Sequence, residues 1–556
     1  MAPFTPSKAR KKRGSRSRSG CWTCRIRKVK CDETRPVCRR CSSTGRTCDG
    51  YELQPMEVLE VARSTERRLC AKDLSDFRSL DGSLSLSAAE ARGFDFFRRN
   101  TSREIPGFRK SDLWDRLILQ LCHSEVAIRH AAVAVGVMHA RYRGISPSLQ
   151  VQGFVISEWQ HAFAIQQYVK SLGHLRDRLS NQANSINAEL ALICCLLFVC
   201  LEMLQGNRIG ALAHLRNGLR VLSGIPSQVN ITYSSGEQLL VIRPKADSLL
   251  DQLTTAFGRL DLESTSFGER TPTLRLEIQP ALRGSNLTTG EIFSSVEEAK
   301  VYLDVLHNAV LQLRGKLLRR AVSTVEDETA DWAIQRCVEY ATTRTVGISE
   351  DPALSGELEK VQRDLALWLN LFKSHAASQT KLHTAAAAKS AILLEIQHFF
   401  IFFQAMTCRE TTEISCDRFQ ALFNTTTSLI ADIASTPDVT FTIDTGVIPS
   451  LCLIALKCRV PDTRRLAISM LYKRACQEGM WEGTLIAKFV EQAVIWEEEL
   501  AGQCLEAHNM LPEYARFCDV TFAASEDPGF GRIVSARYLH ESSGELMIFE
   551  RIFKLL

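Results

Sequence analysis

The chain has 556 residues, of which 45% are hydrophobic and 24% charged, a balance typical of a soluble globular protein. This length excludes a single ordinary core, so two or more domains are expected. Residues 1–51 hold fifteen Lys or Arg and three Asp or Glu, a net +12, whereas residues 52–556 carry a net −7. A basic head on a mildly acidic body indicates a polyanionic partner for the head.

The first 20 residues are rich in Lys, Arg and Ser and poor in apolar side chains, which predicts a disordered basic arm. The arm lacks the apolar core segment of a secretory signal. Its run "KARKKR" favours nuclear import, with non-specific phosphate binding as the alternative. The residues expected to carry import are Lys8, Arg10, Lys11, Lys12 and Arg13.

Residues 21–51 form a cysteine module, in which six cysteines follow the spacing C-x2-C-x6-C-x6-C-x2-C-x6-C without one histidine. A disulfide framework needs an oxidising compartment, and nothing in the sequence indicates export. Structural zinc takes four ligands, so six thiolates satisfy two Zn²⁺ ions if two cysteines bridge both metals. The predicted metal ligands are Cys21, Cys24, Cys31, Cys38, Cys41 and Cys48.

The cysteine pattern is an internal repeat, because the first three cysteines recur 17 residues further on. A duplicated arm implies approximate two-fold symmetry, with one bridging cysteine from each arm. The arms differ in charge: four cations lie between Cys24 and Cys31, and only Arg46 lies between Cys41 and Cys48. The first arm is therefore the one expected to face a polyanion.

Residues 21–48 resemble the fungal zinc binuclear cluster family of DNA-binding proteins in all six cysteines, in the basic run "RIRKVK" and in Pro36. The resemblance implies two Zn²⁺ ions with Cys21 and Cys38 as the bridges. Cys24 and Cys31 would complete one site, and Cys41 and Cys48 the other.

The same resemblance gives a role to Lys28, which would read guanine of CGG-type triplets in the major groove. Lysine can donate to guanine O6 and N7. The other cations of the module are expected to contact phosphates, which position a protein without specifying sequence. These are Arg25, Arg27, Lys30, Arg39 and Arg40.

Residues 52–89 are predicted to be a linker, because the heptad pattern of a coiled coil is not sustained there. A dimerising coiled coil is therefore not evident, and a monomer and a homodimer both stay open. From residue 90 the helical period dominates, which predicts a large all-α body over 90–556 and a mostly α chain. The longest apolar run, 190–201, has twelve residues, against about 20 for a bilayer span, so we expect a buried helix and no membrane partner.

Four local expectations concern this body. Ser124 is expected to be the N-cap of a helix over 124–142, and residues 462–475 to bury Leu466, Ala467, Met470 and Leu471 on one face. The run Glu497–Glu499 is expected to be a solvated helix face. Alternation typical of a strand is clearest, though weak, at 238–244.

Four segments of the body resemble the fungus-specific transcription factor domain that often follows this zinc cluster. They are "GFDFFRRNTSREIPGF" (93–108), "HSEVAIRHAAVAVGVMHARY" (123–142), "GNRIGALAHLRNGLRVL" (206–222) and "PDTRRLAISMLYKRACQEGMWEG" (461–483). The resemblance implies a helical regulatory domain and transfers no catalytic residue.

The leading hypothesis is a zinc-dependent, sequence-specific DNA-binding transcription factor acting in the nucleus on genes of RNA polymerase II. Its partners would be double-stranded DNA and the transcription machinery or co-regulators. The alternative is a zinc-stabilised protein-interaction scaffold, against which the charge difference between the arms argues. An enzyme is not expected, because no G-x4-G-K-[ST], H-E-x-x-H or G-x-S-x-G motif occurs.

Overall fold

The chain divides into two compact units, Met1–Gly82 and Ser83–Leu556. The computed structural model describes residues 23–24, 27, 29–34 and 38–45 of the first unit. Of the second it describes residues 86–555 apart from 108, 110, 145–155, 182–184, 226–231, 235–236, 243–247, 279–292, 323–330, 344–350, 379–384, 409–416, 435–439, 475, 503–509, 518, 525–526, 528 and 539–545. The basic arm and residues 52–85 of the linker lie outside the described residues, so the borders at 20, 51 and 89 stay predictions.

In the described residues of the first unit, Thr23 and Cys24 are helical, and the short helix α1 spans Arg39–Ser42. The second opens with α2 (Ala88–Phe96), where Ser87 and Glu90 form a capping box that satisfies donors at the helix start. One-turn π segments follow at Phe97–Thr101 and Leu113–Leu117. The next helices are α3 (Ser102–Glu104), α4 (Ile118–Ser124), α5 (Val126–Tyr142), α6 (Ile156–Asn181), α7 (Ser185–Leu204), α8 (Arg208–Ser223) and α9 (Leu249–Phe267).

The second half of this unit is also mainly helical, which confirms the predicted mostly α class. Its helices are α10 (Val296–Val322), α11 (Trp332–Thr343), α12 (Pro352–Ser378), α13 (Ala385–Thr407), α14 (Asp417–Ala434), α15 (Ile448–Lys457), α16 (Pro461–Lys473) and α17 (Gly483–Ala501), with a 3₁₀ turn at Glu513–Ala515.

Two helices, α7 and α13, are long and apolar enough to cross a membrane by length and composition. Within the fold, 83% of the apolar window of α7 and 78% of that of α13 are buried. A helix that is apolar all round is typical of the interior of a large protein. This burial agrees with the core helix predicted at 190–201.

Three hydrophobic cores organise the second unit. The first is built mainly from α2 to α9, and also takes in Phe441, Ile443 and Met480 from far along the chain. The second joins α13 to α17, and the third joins α10, α12 and α13. Helix α13 contributes to both the second and the third core. Its Ile396 and Phe399 face the second core, and its Leu394 and Ile401 face the third.

Three small sheets accompany the helices, and the sequence anticipated only the strand near 238–244. The first sheet has the order β1 (Thr232–Ser234), β2 (Glu237–Ile242), β3 (Arg275–Ile278). The second has the order β4 (Phe441–Thr442), β5 (Gln477–Glu478), β6 (Trp481–Glu482). The third is antiparallel, with the order β7 (Asp519–Ala524), β8 (Phe530–Tyr538), β9 (Leu546–Lys554).

The third sheet was missed because its central strand β8 buries apolar side chains on both faces at Ile533 and Val534. Val534 packs with α11 on one face, whereas Ile533 and Phe553 pack with Phe489 of α17 on the other. A strand buried on both sides reads as a continuous apolar run, which periodicity cannot separate from a buried helix.

The expected N-cap at Ser124 is wrong. Helix α4 ends at Ser124, and α5 begins at Val126 with Glu125 as its N-cap, which makes no side-chain capping bond. Arg129 explains the sharp corner, since its guanidinium donates to the carbonyl oxygens of Cys122 (2.7 Å) and His123 (2.8 Å) at the end of α4. A cation at the C-terminus of a helix satisfies carbonyls that the helix leaves unpaired.

Helices α2 and α5 approach closely at Gly136, and this makes the position sensitive to an added methyl group. A Cβ at Gly136 would lie 2.9 Å from Cβ of Phe97 and closer still to the carbonyl oxygen of Gly93. We expect Gly136→Ala to destabilise the fold by about 1–3 kcal/mol, the usual cost of overpacking.

The control is Gly173→Ala in α6, where no atom lies within 4 Å of the added Cβ. This variant should raise stability by up to about 1 kcal/mol, since alanine favours a helix over glycine. Urea unfolding followed by circular dichroism compares the two, and equal midpoints would contradict the close approach of α2 and α5.

Candidate metal centre and nucleic-acid interface

Four of the six predicted metal ligands lie in the described residues, and all four are buried: Cys24, Cys31, Cys38 and Cys41. The Sγ atom of Cys24 lies 3.7 Å from that of Cys38 and 3.8 Å from that of Cys41. The three sulfur atoms lie within 4.8 Å of one another. Cys21 and Cys48 lie outside the described residues.

These separations fit zinc ligation. A disulfide would bring two sulfurs to about 2.05 Å, so the Cys24–Cys38 and Cys24–Cys41 pairs are not disulfides. A tetrahedral site with Zn–S bonds of about 2.3 Å sets its sulfurs about 3.8 Å apart. The donor set, all thiol sulfur and no hydroxyl or amide, is the one that zinc takes in closed structural sites.

Cys38 is the described sulfur that belongs to both clusters of potential ligands. One cluster is Cys24, Cys38 and Cys41, and the other is Cys31, Cys38 and the exposed carboxylate of Asp32. In these groups Cys24 stands with Cys41, and Cys31 with Asp32, whereas the resemblance assigns Cys24 and Cys31 to one metal, so the assignment of each ligand to a metal stays a prediction. The sequence did not single out Asp32, because a lone acidic residue beside a cysteine carries no metal signature.

Local backbone geometry holds the sulfurs in place. Cys38 is the N-cap of α1, and its Sγ accepts a hydrogen bond from the amide of Cys41 at 3.2 Å. The amide of Glu33 donates to Sγ of Cys31 at 3.4 Å, with Glu33 in the left-handed region at φ +59°. Amide donors of this kind stabilise a thiolate and orient it for a metal.

The predicted pseudo-symmetry appears in contacts between residues 17 positions apart. Cys24 meets its repeat mate Cys41, and the guanidinium of Arg27 donates to Oγ1 of its mate Thr44 at 3.5 Å. Contacts between equivalent positions are expected close to a two-fold axis. Thr34, which the sequence did not single out, accepts from the amide of Arg39 at 3.0 Å and so supports the start of α1.

The cations of the module are placed as follows. Lys30, Arg39 and Arg40 are exposed, and Arg27 is half-buried. Charged side chains that reach solvent are available to a polyanion. The base-reading candidate Lys28, the phosphate candidate Arg25 and the import residues Lys8, Arg10, Lys11, Lys12 and Arg13 lie outside the described residues.

Comparison with known proteins identifies the module. Residues 19–57 match the family described as the fungal Zn(2)-Cys(6) binuclear cluster domain. Residues 19–57 therefore form a domain of the fungal zinc binuclear cluster family. No solved structure matches it.

Three relatives of this chain are named as transcription regulators or transcription factors. It is 26% identical, over 97% of its length and 96% of the relative, to the aspercryptin biosynthesis cluster-specific transcription regulator atnN of Emericella nidulans. It is 30% identical to the transcription regulator lscL of Purpureocillium lilacinum over 36% of this chain and 47% of the relative. It is 36% identical to the Zn(2)-C6 fungal-type transcription factor afumD of Aspergillus fumigatus over 22% of this chain and 32% of the relative.

The matched domain and the names of the relatives confirm three predictions. This zinc cluster regulator is a DNA-binding transcription factor, its module takes two zinc ions, and its family is not one of enzymes. The family implies DNA and the regulatory machinery as partners. When bound, the zinc ions supply structural cross-links, and the sulfurs of Cys24, Cys31, Cys38 and Cys41 are placed to hold them.

The regulator's second unit has a partly buried chain of six alternating charges, which the sequence did not reveal; Glu297 in its middle is 46% exposed. It runs Asp444, Arg109, Glu297, Arg259, Asp304, Lys300. Arg259 donates to Asp304 at 2.8 Å and to Glu297 at 2.9 Å, and Arg109 bonds both Glu297 and Asp444. Alternating signs compensate each buried charge.

This ion chain ties distant segments together. Beside it, the amide of Ile443 donates to the carbonyl oxygen of Ile105 at 3.1 Å, and Oγ1 of Thr442 donates to the same oxygen at 2.8 Å. Ile105 and Arg109 are thereby fastened to the segment at 440–444, which contains β4, while α9 and α10 supply Arg259 and Asp304. The arrangement is structural, since each ionic group is already paired.

A cavity of about 20 Å³ lies beside the ion chain and is lined by both of its end groups, Asp444 and Lys300; it has room for about one water molecule. Its polar lining includes Lys300, His307 and Gln397, and Oε1 of Gln397 has no hydrogen-bond partner in the described part of the chain. Burial lowers the pKa of His307 to about 3 and raises that of the nearby Glu263 to about 8. The neutral forms of both groups are thereby favoured, and a water in the cavity could donate to Oε1 of Gln397.

Proposed function

We propose that this transcription factor recognises CGG-like triplets in the major groove through its first cysteine arm, and that it acts in the nucleus on RNA polymerase II genes. The 3.7 Å separation between the sulfurs of Cys24 and Cys38, which is that of two ligands on one zinc ion, carries the proposal. In it, Cys21 and Cys38 bridge two zinc ions, Cys24 and Cys31 complete one site, and Cys41 and Cys48 complete the other.

The difference between the arms supports the first as the reading arm. Lys28 corresponds by the 17-residue repeat to Gly45, which has no side chain to reach a base and lies in the left-handed region at φ +65°. Helix α1 of the second arm ends at Ser42. A lysine can donate to O6 and N7 of guanine, so Lys28 gives the first arm a reading group that the second lacks.

The remaining cations supply affinity. Lys30, Arg39 and Arg40 are exposed, as phosphate-contacting groups must be. Arg25 and Arg27 share the first arm with Lys28. Each phosphate neutralised releases counterions, which makes binding salt-dependent without specifying sequence.

Lys28→Ala is expected to weaken binding to the preferred site by about 1–3 kcal/mol and to flatten the preference for CGG over scrambled triplets. Fluorescence anisotropy of the zinc-loaded full chain on both DNAs measures it. A Lys28→Ala protein that keeps its preference for CGG would overturn the base-reading role.

Arg40→Ala and Arg27→Ala are the matched controls for Lys28→Ala, because each also removes one cation. Each should lower affinity on all sequences alike and reduce the slope of log K against log salt by about 0.9, the loss of one phosphate contact. Arg40 is the cleaner control, because Arg27 also donates to Thr44.

The same anisotropy measurement distinguishes the proposed DNA recognition from the scaffold alternative. A protein-interaction module without DNA specificity would show wild-type binding that is equal on CGG and random DNA. Import by residues 8–13 is supported by their composition, and it is checked by where a fluorescent fusion accumulates after Lys11→Ala and Lys12→Ala.

A further inference from the structure

The outer strand β9 is a long unpaired edge. The sheet order is β7, β8, β9, so β9 pairs on one side with β8 over nine residues, Leu546–Lys554. Among the described residues no strand pairs with its other side. Such an edge presents a row of backbone N–H and C=O groups that can bind a further strand.

One face of β9 carries three exposed side chains in alternation. Ile552 is 57% exposed, and Glu550 and Lys554 on either side are exposed as well. Alternate residues of a strand point to the same face. Lys554 has no acidic partner in the described ranges, whereas Glu550 accepts from Arg532 at 2.7 and 3.1 Å.

This pattern is self-complementary in one antiparallel register. If a two-fold axis passes through Ile552, the Ile552 side chains of two copies meet, and Glu550 of each copy faces Lys554 of the other. Directly opposite residues in an antiparallel pair have Cβ atoms about 4.5–5.5 Å apart, within reach of an ion pair. The symmetry forms this charge pair twice.

Neighbouring registers lose that complementarity. An axis through Glu550 would set two carboxylates against each other, and an axis through Arg551 would set two guanidinium groups against each other. Like charges directly opposite destabilise a strand pair. The charges of β9 therefore select the register centred on Ile552.

We propose that two copies of this chain associate edge to edge through β9, in the register centred on Ile552, to form a continuous six-stranded antiparallel sheet. The interface is isologous, as a two-fold dimer requires, and main-chain hydrogen bonds along the edge give it affinity. It is independent of the proposed DNA recognition, because the oligomeric state is measured without DNA.

The experiment is sedimentation equilibrium of the zinc-loaded full chain. Wild type should be a dimer at micromolar concentration, and Ile552→Asp should weaken dimerisation on the order of 100-fold by opposing two carboxylates on the axis. The control is Val169→Asp on α6, which also places a carboxylate at a 60% exposed apolar position and should leave the dimer intact. Circular dichroism confirms that each variant is folded.

A charge exchange tests the register. Lys554→Glu opposes two acidic residues twice across the interface and should weaken the dimer roughly tenfold or more. The double variant Glu550→Lys with Lys554→Glu restores opposite charges and should recover most of the affinity. A monomeric wild type, a dimer that ignores Ile552→Asp, or a double variant no stronger than Lys554→Glu would each overturn the proposal.

Discussion

Zinc removal is expected to abolish specific DNA binding and to unfold residues 21–48, while the second unit keeps its helices. The described core of the module consists of four cysteines with a partly buried Val29, so little apolar burial opposes unfolding. Structural zinc contributes on the order of 10–16 kcal/mol per ion in small modules. Chelator titration followed by DNA anisotropy measures the loss, and readded Zn²⁺, but not Mg²⁺, should restore binding.

Cys38→Ala sharpens this experiment, because a bridging ligand serves both metals. We expect it to lower the zinc content from two ions per chain towards none, whereas Cys195→Ala, a half-buried cysteine of the second unit, should retain both. Zinc is counted by atomic emission on purified protein. Undiminished DNA binding in excess chelator, or two ions held by Cys38→Ala, would contradict the metal assignment.

Arg464→Leu is expected to lower the stability of the second unit by about 3–5 kcal/mol, since it leaves a buried carboxylate without its cation. Arg464 is fully buried on α16, and its guanidinium bonds Glu497 of α17 and donates to the carbonyl oxygen of Ala455 at 2.8 Å. Glu497 also accepts from the amide of Phe517 at 2.8 Å. The pair therefore joins four segments: α15, α16, α17 and the stretch at Phe517.

Arg465→Leu is the matched control, because Arg465 pairs with Glu498 at 3.0 Å on an exposed face. Exposed pairs contribute about 0–1 kcal/mol. The urea midpoints of the two variants give the comparison. Equal losses for Arg464→Leu and Arg465→Leu would show that the buried pair is no more important than a surface one.

The cysteine module could be predicted from the sequence because metal ligation depends on residue type and short-range spacing. Counting thiolates gave two zinc ions, and the 17-residue repeat predicted contacts such as Cys24 with Cys41. The supporting donors, such as the amide of Glu33, could not be predicted, since every residue has an amide and only the folded turn aims it.

The packing of the second unit was harder to predict, because burial depends on partners distant in sequence. Leu466 was expected to be buried and is exposed, while Arg464 takes the inner face with Ala467, Ile468 and Leu471. Glu497 was expected to be solvated and is buried against Arg464. A charged residue on an inner face is recognisable only when its partner is known.

The contacts of Ile105 and Arg109 with the segment at 440–444 form late when the chain is synthesised on the ribosome. Arg109 and Asp444 are separated by 335 positions, so at about 5–20 residues per second the ribosome needs roughly 20–70 s to supply the second after the first. Phe441 and Ile443 complete the first core only then. During that interval apolar side chains of α2 to α9 stay exposed on the nascent chain. Exposed apolar surface of this kind is what chaperones bind.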